Sequence, residues 1–390
     1  MKKQLLVSLI AGAFFLLHLH SASAQGCVAI RQMGNCSSNA GSSLLTKGQW
    51  QAAANYRYFR SYKHFRGDVE QVERVEEGTE VINVVNALDF GLSYSLSQRM
   101  SVSLTLPVIF YDRSSLYEHY GNSASANPEH KRFDTGAKGI GDLRIAGSYW
   151  LFNPNTHHKH NIALGIGFKL PTGNENVQDE FHKRKASDGT DSIVVKAVDQ
   201  SIQLGDGGVG ISLEVQAFSS LSDKLALYLN GFYMSNPQNT NKTLNRGTLV
   251  GVDPLIAYHS IADQYVARLG ASYAVWPAKG LSINLGARME GIPSSDLIGK
   301  SEGFRRPGYI VSAEPGLVFQ HENIILSANV PVALYRNRVK STYDLADPTG
   351  QRHGDAAFAD YSLNFGLAWR FGGKHNDMPA VPTWKDAGKK

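Results

Sequence analysis

The chain has 390 residues, a formal net charge of +5 and 42% hydrophobic residues, and its mean hydropathy is below zero. After the first 24 residues the sequence contains no run of the roughly 18 apolar residues that a membrane-spanning helix needs. The small net charge does not imply a polyanionic partner, and no nucleic-acid-binding motif accompanies it, so we expect no binding to nucleic acid.

The N-terminus has the three parts of a secretory signal peptide. Lys2 and Lys3 precede an apolar stretch over residues 5–19, and the small residues Ala22-Ser23-Ala24 follow it. We expect cleavage before Gln25, which makes residues 1–24 the signal peptide and the mature protein an exported one.

Two cysteines, Cys27 and Cys36, follow the expected cleavage site and are the only ones in the sequence. An exported protein matures in an oxidising compartment, so we predict that they form a disulfide. Lipidation of Cys27 is the alternative, although the preceding Ala24-Gln25-Gly26 matches a lipidation motif poorly and Cys36 would remain unpaired. Residues 25–48 are expected to be a periplasmic segment that could plug a barrel.

Twelve later segments alternate apolar and polar residues, which is the pattern of a strand with one face in lipid and the other in a wet lumen. The first segment covers residues 49–60, where Trp50, Ala52, Tyr56 and Tyr58 share the lipid-facing side. The others, in chain order, have their alternating parts at 81–96, 102–110, 143–149, 162–168, 209–215, 225–233, 265–273, 281–289, 309–319, 324–334 and 363–371.

Long polar connections alternate with short turns along these segments. The long ones cover 61–80, 113–142, 174–208, 236–262, 292–308 and 336–360. Outer-membrane barrels have this asymmetry, with long loops outside and short turns in the periplasm. We therefore predict an all-β fold, a transmembrane antiparallel barrel of about 12 strands over 49–371, with both termini periplasmic. A soluble β-sandwich also alternates, but it does not place aromatic residues so regularly at strand ends.

Residues 372–390 follow the last strand as an expected periplasmic tail. The tail contains Pro379, Pro382 and four lysines. It could bind a periplasmic partner or the cell wall, or remain an extension without structure of its own.

The polar faces of the predicted strands contain charges of both signs, which we take as candidate residues lining the lumen. They are Arg57, Asp89, Arg144, Lys169, Glu214, Arg268, Arg288, Glu290, Glu314 and Arg370. Such charges could steer a polar solute, or they could be ion pairs that fill a closed interior. Strand number does not decide between these, because twelve lies between filled eight-stranded barrels and open sixteen-stranded ones.

Three other clusters have local interpretations. His157, His158 and His160 could bind a transition metal but are equally expected of a solvated turn. The glycine-rich stretch 205–210 precedes a strand rather than a helix, so it offers no phosphate site, and we predict no cofactor and no bound metal. The basic residues 182–185 and Arg305-Arg306 could hold lipopolysaccharide phosphates in outer loops, or be solvated charge.

An enzyme is the rival class, since some outer-membrane barrels are hydrolases. The mature sequence lacks the His-x-Ser pair of outer-membrane phospholipases, and His259 and Ser260 would point to opposite faces of a strand. Loop residues such as Asp179, His182 and His353 could still converge in space. We predict that the protein is not an enzyme.

Three motifs together resemble a known family. They are Gly139-Ile140-Gly141-Asp142-Leu143, Lys169-Leu170-Pro171-Thr172-Gly173 and Gln203-Leu204-Gly205-Asp206-Gly207-Gly208. The chain resembles outer-membrane proteins of the meta-pathway phenol-degradation family, whose members are regarded as channels for small, often aromatic, compounds. The resemblance covers the middle of the chain and identifies no functional residues.

These observations predict an outer-membrane channel for passive passage of small, aromatic or hydrophobic solutes. The expected partners are outer-membrane lipid and lipopolysaccharide, the barrel assembly machinery and the small-molecule solute. The alternative is a structural or adhesive barrel without a conducting pore, and a hydrolase comes third.

Overall fold

The computed structural model describes residues 25–26, 44–185 and 188–373. The predicted twelve strands are present and form one antiparallel barrel. In chain order they are β1 Gln49–Arg66, β2 Ile82–Ser95, β3 Met100–Ser115, β4 in two halves at Phe133–Ile140 and Leu143–Trp150, β5 His160–Leu170, β6 Gly210–Ser220, β7 Leu225–Ser235, β8 Gln264–Trp276, β9 Leu281–Ile292, β10 Gly308–His321, β11 in two halves at Ile324–Asn329 and Val332–Asn337, and β12 Ala356–Gly372.

Each strand pairs with its neighbours in sequence, and β1 pairs with β12 to close the wall. The closing ladder runs from Gln49 opposite Gly372 to Phe65 opposite Ala356. All five even-to-odd connections are short and lie at one end, which we call the short-turn end. The six long connections meet at the other end, the long-loop end, as predicted. This pairing joins the two terminal strands of the sheet.

The two faces of the wall differ in the way that the alternation predicted. Outward positions are exposed and aliphatic; Leu213 and Leu285, for example, are more than 60% exposed. A closed wall with an apolar outer surface is stable only in lipid, so the barrel is a transmembrane one. Aromatic side chains lie at the ends of this apolar band. Trp50 packs against Tyr94 with ring centroids 4.5 Å apart, and Trp369 lies 4.8 Å from Phe371 at the short-turn end.

Helices contribute little to the described residues. The α-helices there are single turns at Glu73–Glu76 and Thr342–Leu345, and none of the described helices is long and apolar enough to cross a membrane.

Several strands extend further toward the long-loop end than the sequence predicted. β1 reaches Arg66, β3 reaches Ser115, and the outer half of β4 lies within the connection assigned to 113–142. The predicted bounds of these connections were therefore wrong. Beyond the lipid both faces of a strand meet water or loops, so the apolar alternation that marks a strand in the sequence stops before the strand does.

β11 is interrupted at Pro331, which has no N–H to donate to a ladder. Its outer half pairs with β10 and meets β12 only through Val332 opposite Tyr361. The described residues show no further pairing between Ala333–Asn337 and the start of β12. Part of that edge instead pairs with the backbone of residues 25 and 26, at Ala359 and Phe358. We call this interruption of the β11–β12 ladder the seam.

Residues 44–48 cross the short-turn end inside the wall. Leu44 is buried against Trp150, Ala163, Phe218 and Ala226, which belong to strands β4 to β7. Two contacts tie the segment to the opposite side: Ser95 Oγ at the end of β2 donates a hydrogen bond to the carbonyl of Leu45, and Gly48 N–H donates to the carbonyl of Ser95. The chain thus spans the mouth before it enters β1.

Candidate functional site: the barrel interior and its vestibule

The ten candidate lumen residues all lie on the faces of the strands that point away from the exposed aliphatic surface. Eight of them are less than 10% exposed, and Glu214 and Arg370 are intermediate. Charged groups buried this deeply need partners, because an isolated charge in such a site is costly. The structure places several of the ten against one another.

The central charge cluster joins β8, β9 and β10. Arg268 donates two hydrogen bonds to Glu314, from Nε to Oε2 and from Nη2 to Oε1, both 2.8 Å long. Arg288 makes a similar pair with Glu290, and its Nη1 lies 4.0 Å from Glu314 Oε1. The four side chains are at most 3% exposed. The two bidentate pairs therefore form one compensated group of two positive and two negative charges.

A second ion pair crosses strand β5. Arg144 on β4 contacts Glu214 on β6, and Arg144 Nη2 also donates to Ser212 Oγ over 3.0 Å. Gly167 lies beneath this pair on β5. A Cβ at Gly167 would come within 2.5 Å of Ser212 Oγ and 2.8 Å of Glu214 Oε1, so the absence of a side chain gives the pair its space.

The remaining candidates lie at separate levels of the interior. Arg57 and Asp89 line a cavity of about 10 Å³ with Asn329 and Asn364, a volume close to that of one water molecule. Arg370 Nε donates to Gln51 Oε1 near the short-turn end. Lys169 forms an ion pair with Asp206, an acid that the sequence analysis placed only in a motif.

The three family-like motifs meet in space at the long-loop ends of β4, β5 and β6. Asp142 Oδ1 accepts a hydrogen bond from Gly173 N–H over 2.9 Å, and Oδ2 accepts one from Asp206 N–H over 3.2 Å. Thr172 Oγ1 donates to the carbonyl of Gly141. Gly173 and Gly205 touch backbone to backbone, where a Cβ on either would clash. The motifs thus build a structural junction that holds the third long loop against the wall.

A cavity of about 970 Å³, which we call the vestibule, lies at the long-loop end. All six long connections or their strand ends contribute to it. Its positively charged lining residues are Arg74, Arg113, Lys183, Lys196, Arg246, Arg305, Arg306, Arg338 and Arg352, against the acids Glu118, Asp199, Asp344 and Asp355. The described lining therefore contains nine Lys and Arg side chains and four carboxylates, which makes its electrostatic potential positive.

Asp199 ties the loops together in this vestibule. Both of its oxygens accept hydrogen bonds from Arg306, each 2.7 Å long, and Arg113 Nη2 lies 3.4 Å away. Burial alone would raise the pKa of Asp199, but the charges of Arg113 and Arg306 outweigh it and hold the pKa well below the usual range. The same carboxylate raises the pKa of Arg306, so both groups remain charged.

Three of the vestibule cations have no ion-pair partner among the described residues: Lys183, Lys196 and Arg246. Lys183 Nζ donates to the carbonyls of Glu118 and His119. Lys196 Nζ lies 4.0 Å from the centroid of the Phe181 ring, and Arg246 is exposed. Burial lowers the pKa of Lys196, and the charge of Arg246 lowers it further against the opposing effect of Glu118 and Asp199.

Each residue considered for a hydrolase has a local partner in the structure. Asp179 accepts a hydrogen bond from Gly136 N–H, His182 pairs with Asp191 at 2.6 Å, and His353 Nε2 lies 2.6 Å from the carbonyl of Arg338. Ser260 Oγ donates to the backbone carbonyl of Asn239, and burial lowers the pKa of His259 to about 4.

The histidine cluster and the Arg305-Arg306 pair contact other groups of the protein. His157 contacts Thr156 in the turn before β5, and the described residues contain no group of three potential metal ligands. Arg305 is paired with Asp296 and Arg306 with Asp199, and both residues line the vestibule. Cys27, Cys36, the signal peptide and residues 374–390 lie outside the described residues.

Comparisons with known proteins identify the fold. No family model and no curated protein matches the chain. Among solved structures, an outer-membrane channel from Pseudomonas putida F1 is similar with a TM-score of 0.52 and 15% identity, covering 84% of this chain and 97% of that one. The translocator domain of the autotransporter NalP from Neisseria meningitidis gives 0.45 and 11% over 84% and 90%, and a Pseudomonas aeruginosa FadL homologue gives 0.41 and 9% over 90% and 99%. The fold is that of an outer-membrane β-barrel.

Proposed function

We propose that the protein is an outer-membrane channel through which small hydrophobic or aromatic solutes pass passively. The single observation that carries this proposal is the vestibule of about 970 Å³ at the long-loop end. A barrel that served only as a structural or adhesive support needs no cavity of this size. The interior below it is lined by polar and charged groups, as in outer-membrane barrels generally.

Apolar side chains in the vestibule support a hydrophobic solute. Val194, Val250, Val252 and Ile256 line the cavity together with the aromatic rings of Tyr117, Phe304 and Tyr343. Apolar and aromatic side chains are the part of a small-molecule site that contacts the carbon skeleton of the ligand. The similar structure from Pseudomonas putida F1 is itself described as an outer-membrane channel, which agrees with this proposal. A more specific form of the channel proposal is that the protein belongs to the meta-pathway phenol-degradation family.

The N-terminal segment is proposed as the plug of this channel. Its supporting observation is the burial of Leu44, Leu45 and Thr46 across the short-turn end. In this arrangement the long loops are outside the cell and both termini are periplasmic. Solute would enter the vestibule from outside, and the segment preceding β1 would limit flow toward the periplasm.

Conductance in planar lipid bilayers tests both parts of the proposal. The refolded mature protein is compared with a variant that lacks residues 25–47, and a heat-sensitive electrophoretic band verifies that each has folded. We expect brief or small current steps from the intact protein and larger, longer ones after the deletion. Silence from both folded proteins would contradict a channel, and equal steps from both would contradict the plug.

Solute class is tested separately by uptake into proteoliposomes. Radiolabelled toluene or phenol is expected to equilibrate faster than through protein-free vesicles, whereas a sugar of similar size is expected to equilibrate more slowly than the aromatic compound. A preference for the sugar would overturn the hydrophobic assignment while leaving the channel intact.

A further inference from the structure

We infer that the vestibule is a binding site for amphipathic organic anions, in which Lys196 and Arg246 hold a carboxylate and the neighbouring aliphatic side chains hold its hydrocarbon part. This inference deepens the proposed function by adding a charge to the solute class. Binding can nevertheless be measured without any flux through the barrel.

Most, but not all, of the cations that line the vestibule are paired with carboxylates among the described residues. Six of its nine cations are paired with carboxylates: Arg74 with Asp355, Arg113 with Glu118, Arg305 with Asp296, Arg306 with Asp199, Arg338 with Asp344 and Arg352 with Asp347. Lys183, Lys196 and Arg246 have no such partner among the described residues. Of these, Lys183 is occupied by two backbone carbonyls.

Lys196 and Arg246 both line the vestibule. They come from different long loops, Lys196 from the strand Asp191–Ala197 and Arg246 from the loop after β7. The left-handed Gly247 brings the two loops together, since a Cβ there would lie 3.0 Å from Lys196 Cβ. The like charge of the exposed Arg246 acts on the half-buried Lys196 against the opposite charges of Glu118 and Asp199, and a bound anion would add to the stabilisation of both cations.

The apolar residues beside these cations decide what kind of anion fits. Val194 lies on the same strand as Lys196, and Val250 and Val252 follow Arg246 in its loop. Val250 is 87% exposed, which is unusual for a valine and leaves its methyl groups available to a ligand. A bare phosphate or sulfate gains nothing from such a surface. An aryl or alkyl carboxylate can place its charge against the two cations and its hydrocarbon part against the valines.

Binding of fluorinated probes to the full mature protein in nanodiscs tests the inference. Ligand-observed fluorine NMR compares 4-fluorobenzoate with the neutral 4-fluorobenzyl alcohol. We expect the carboxylate to bind at least about tenfold more tightly, as one charge-assisted contact implies. We also expect the double variant Lys196→Gln, Arg246→Gln to reduce its affinity by about tenfold or more. Equal binding of the two probes would overturn the inference.

Two further variants keep the result interpretable. Arg246→Gln alone changes an exposed side chain, so it tests the site without risk to folding, and it is expected to weaken benzoate binding. Lys242→Gln removes an exposed cation from the same loop that does not line the vestibule, and it is expected to leave binding unchanged. Loss of binding in Lys242→Gln equal to that in Arg246→Gln would mean that only overall charge matters.

Competition by inorganic phosphate distinguishes an amphipathic site from a general anion site. We expect benzoate to displace the probe at much lower concentration than phosphate does. Displacement by phosphate at the same concentration as by benzoate would overturn the amphipathic assignment. These outcomes are separate from those of the conductance test, because a site can bind benzoate in a barrel that conducts nothing.

Discussion

At the scale of single residues, inward glycines decide how the interior charges meet. Arg144 and Glu214 come from strands on either side of β5 and contact each other above Gly167. In the same way the hydroxyl of Tyr228 lies over Gly270 and Gly286 on β8 and β9. At these positions a glycine on the polar face of a strand leaves room for a side chain from another strand to lie over the backbone.

Gly286→Ala is expected to destabilise the barrel. The new Cβ would lie 2.5 Å from Tyr228 Oη and 2.9 Å from the carbonyl oxygen of Leu269, so ring and backbone must both shift. Overpacking of this kind costs about 1–3 kcal/mol. Guanidinium unfolding in detergent measures the change. Gly147→Ala is the matched control, because a Cβ at that strand position meets nothing within 4 Å, and an equal loss in both variants would contradict the explanation.

Glu314→Gln is expected to weaken the central charge cluster. The substitution leaves Arg268 and Arg288 buried without the carboxylate that they share, and breaking a buried pair costs about 3–5 kcal/mol. The free energy of unfolding in detergent is compared with that of Glu322→Gln, which changes an exposed glutamate in the turn before β11. A loss below about 1 kcal/mol would mean that water replaces the lost carboxylate.

The sequence offered a set of candidate charged lumen residues, but it did not indicate which groups they pair with. Alternation assigns a residue to a face from its immediate neighbours, which is a local property. The partner of Arg268 is two strands and 46 residues away. It depends on the register of β8, β9 and β10, and Asp206 was missed as a partner because it lies in a loop where no alternation exists.

At the scale of elements, the outward side chains of each strand must be apolar because they contact lipid. Leu227 on β7 and Leu285 on β9 are exposed on the aliphatic surface. We expect Leu227→Arg and Leu285→Arg to cost about 2–4 kcal/mol each if they lie at the middle of the bilayer, and to impair assembly.

The folded fraction after refolding into lipid vesicles measures that cost. Leu221→Arg is the control, since Leu221 is also exposed but lies in the short turn after β6, where the new charge reaches water. Normal folding of both strand variants would overturn the assignment of inside and outside.

The seam is expected to be the least protected part of the wall. Strand ladders protect amides from hydrogen exchange, and the outer half of β11 shares only one residue pair with β12. Amides of Ala333–Asn337 and of residues 356–360 should exchange faster than those of β9, which is paired on both sides along its length. Exchange mass spectrometry in detergent measures this, and equal protection would show that the seam is closed in solution.

At the scale of the whole molecule, the long loops act together through their ion pairs. The Asp199 carboxylate joins the third long loop to the fifth through Arg306 and to β3 through Arg113. The loops consequently form one cap around the vestibule rather than six independent segments.

The cap should resist acid down to about pH 4. The pKa of Asp199 is held below its unfolded value by two arginines, so the stabilisation is present above the unfolded pKa of about 3.9 and is lost as pH falls through the folded pKa. Limited proteolysis of the loops should change little between about pH 7 and 4. Asp199→Asn should increase cleavage already at pH 7, whereas Asp188→Asn, in an exposed part of the same loop, should not. Cleavage of the native protein that rises steadily from pH 7 would contradict this role of Asp199.

The sequence by itself determined the number of strands, their order and the face on which each side chain lies. These follow from a period of two and from the length of the connections, which neighbouring residues establish. Only the tertiary structure decided which charges pair, where β11 breaks away from β12, and that the motifs meet at Asp142. Asp199 and Arg306 are 107 residues apart in the chain. Such contacts depend on closure of the barrel and on the path of the long loops. The sequence of a loop has no periodic pattern from which its partner could be predicted.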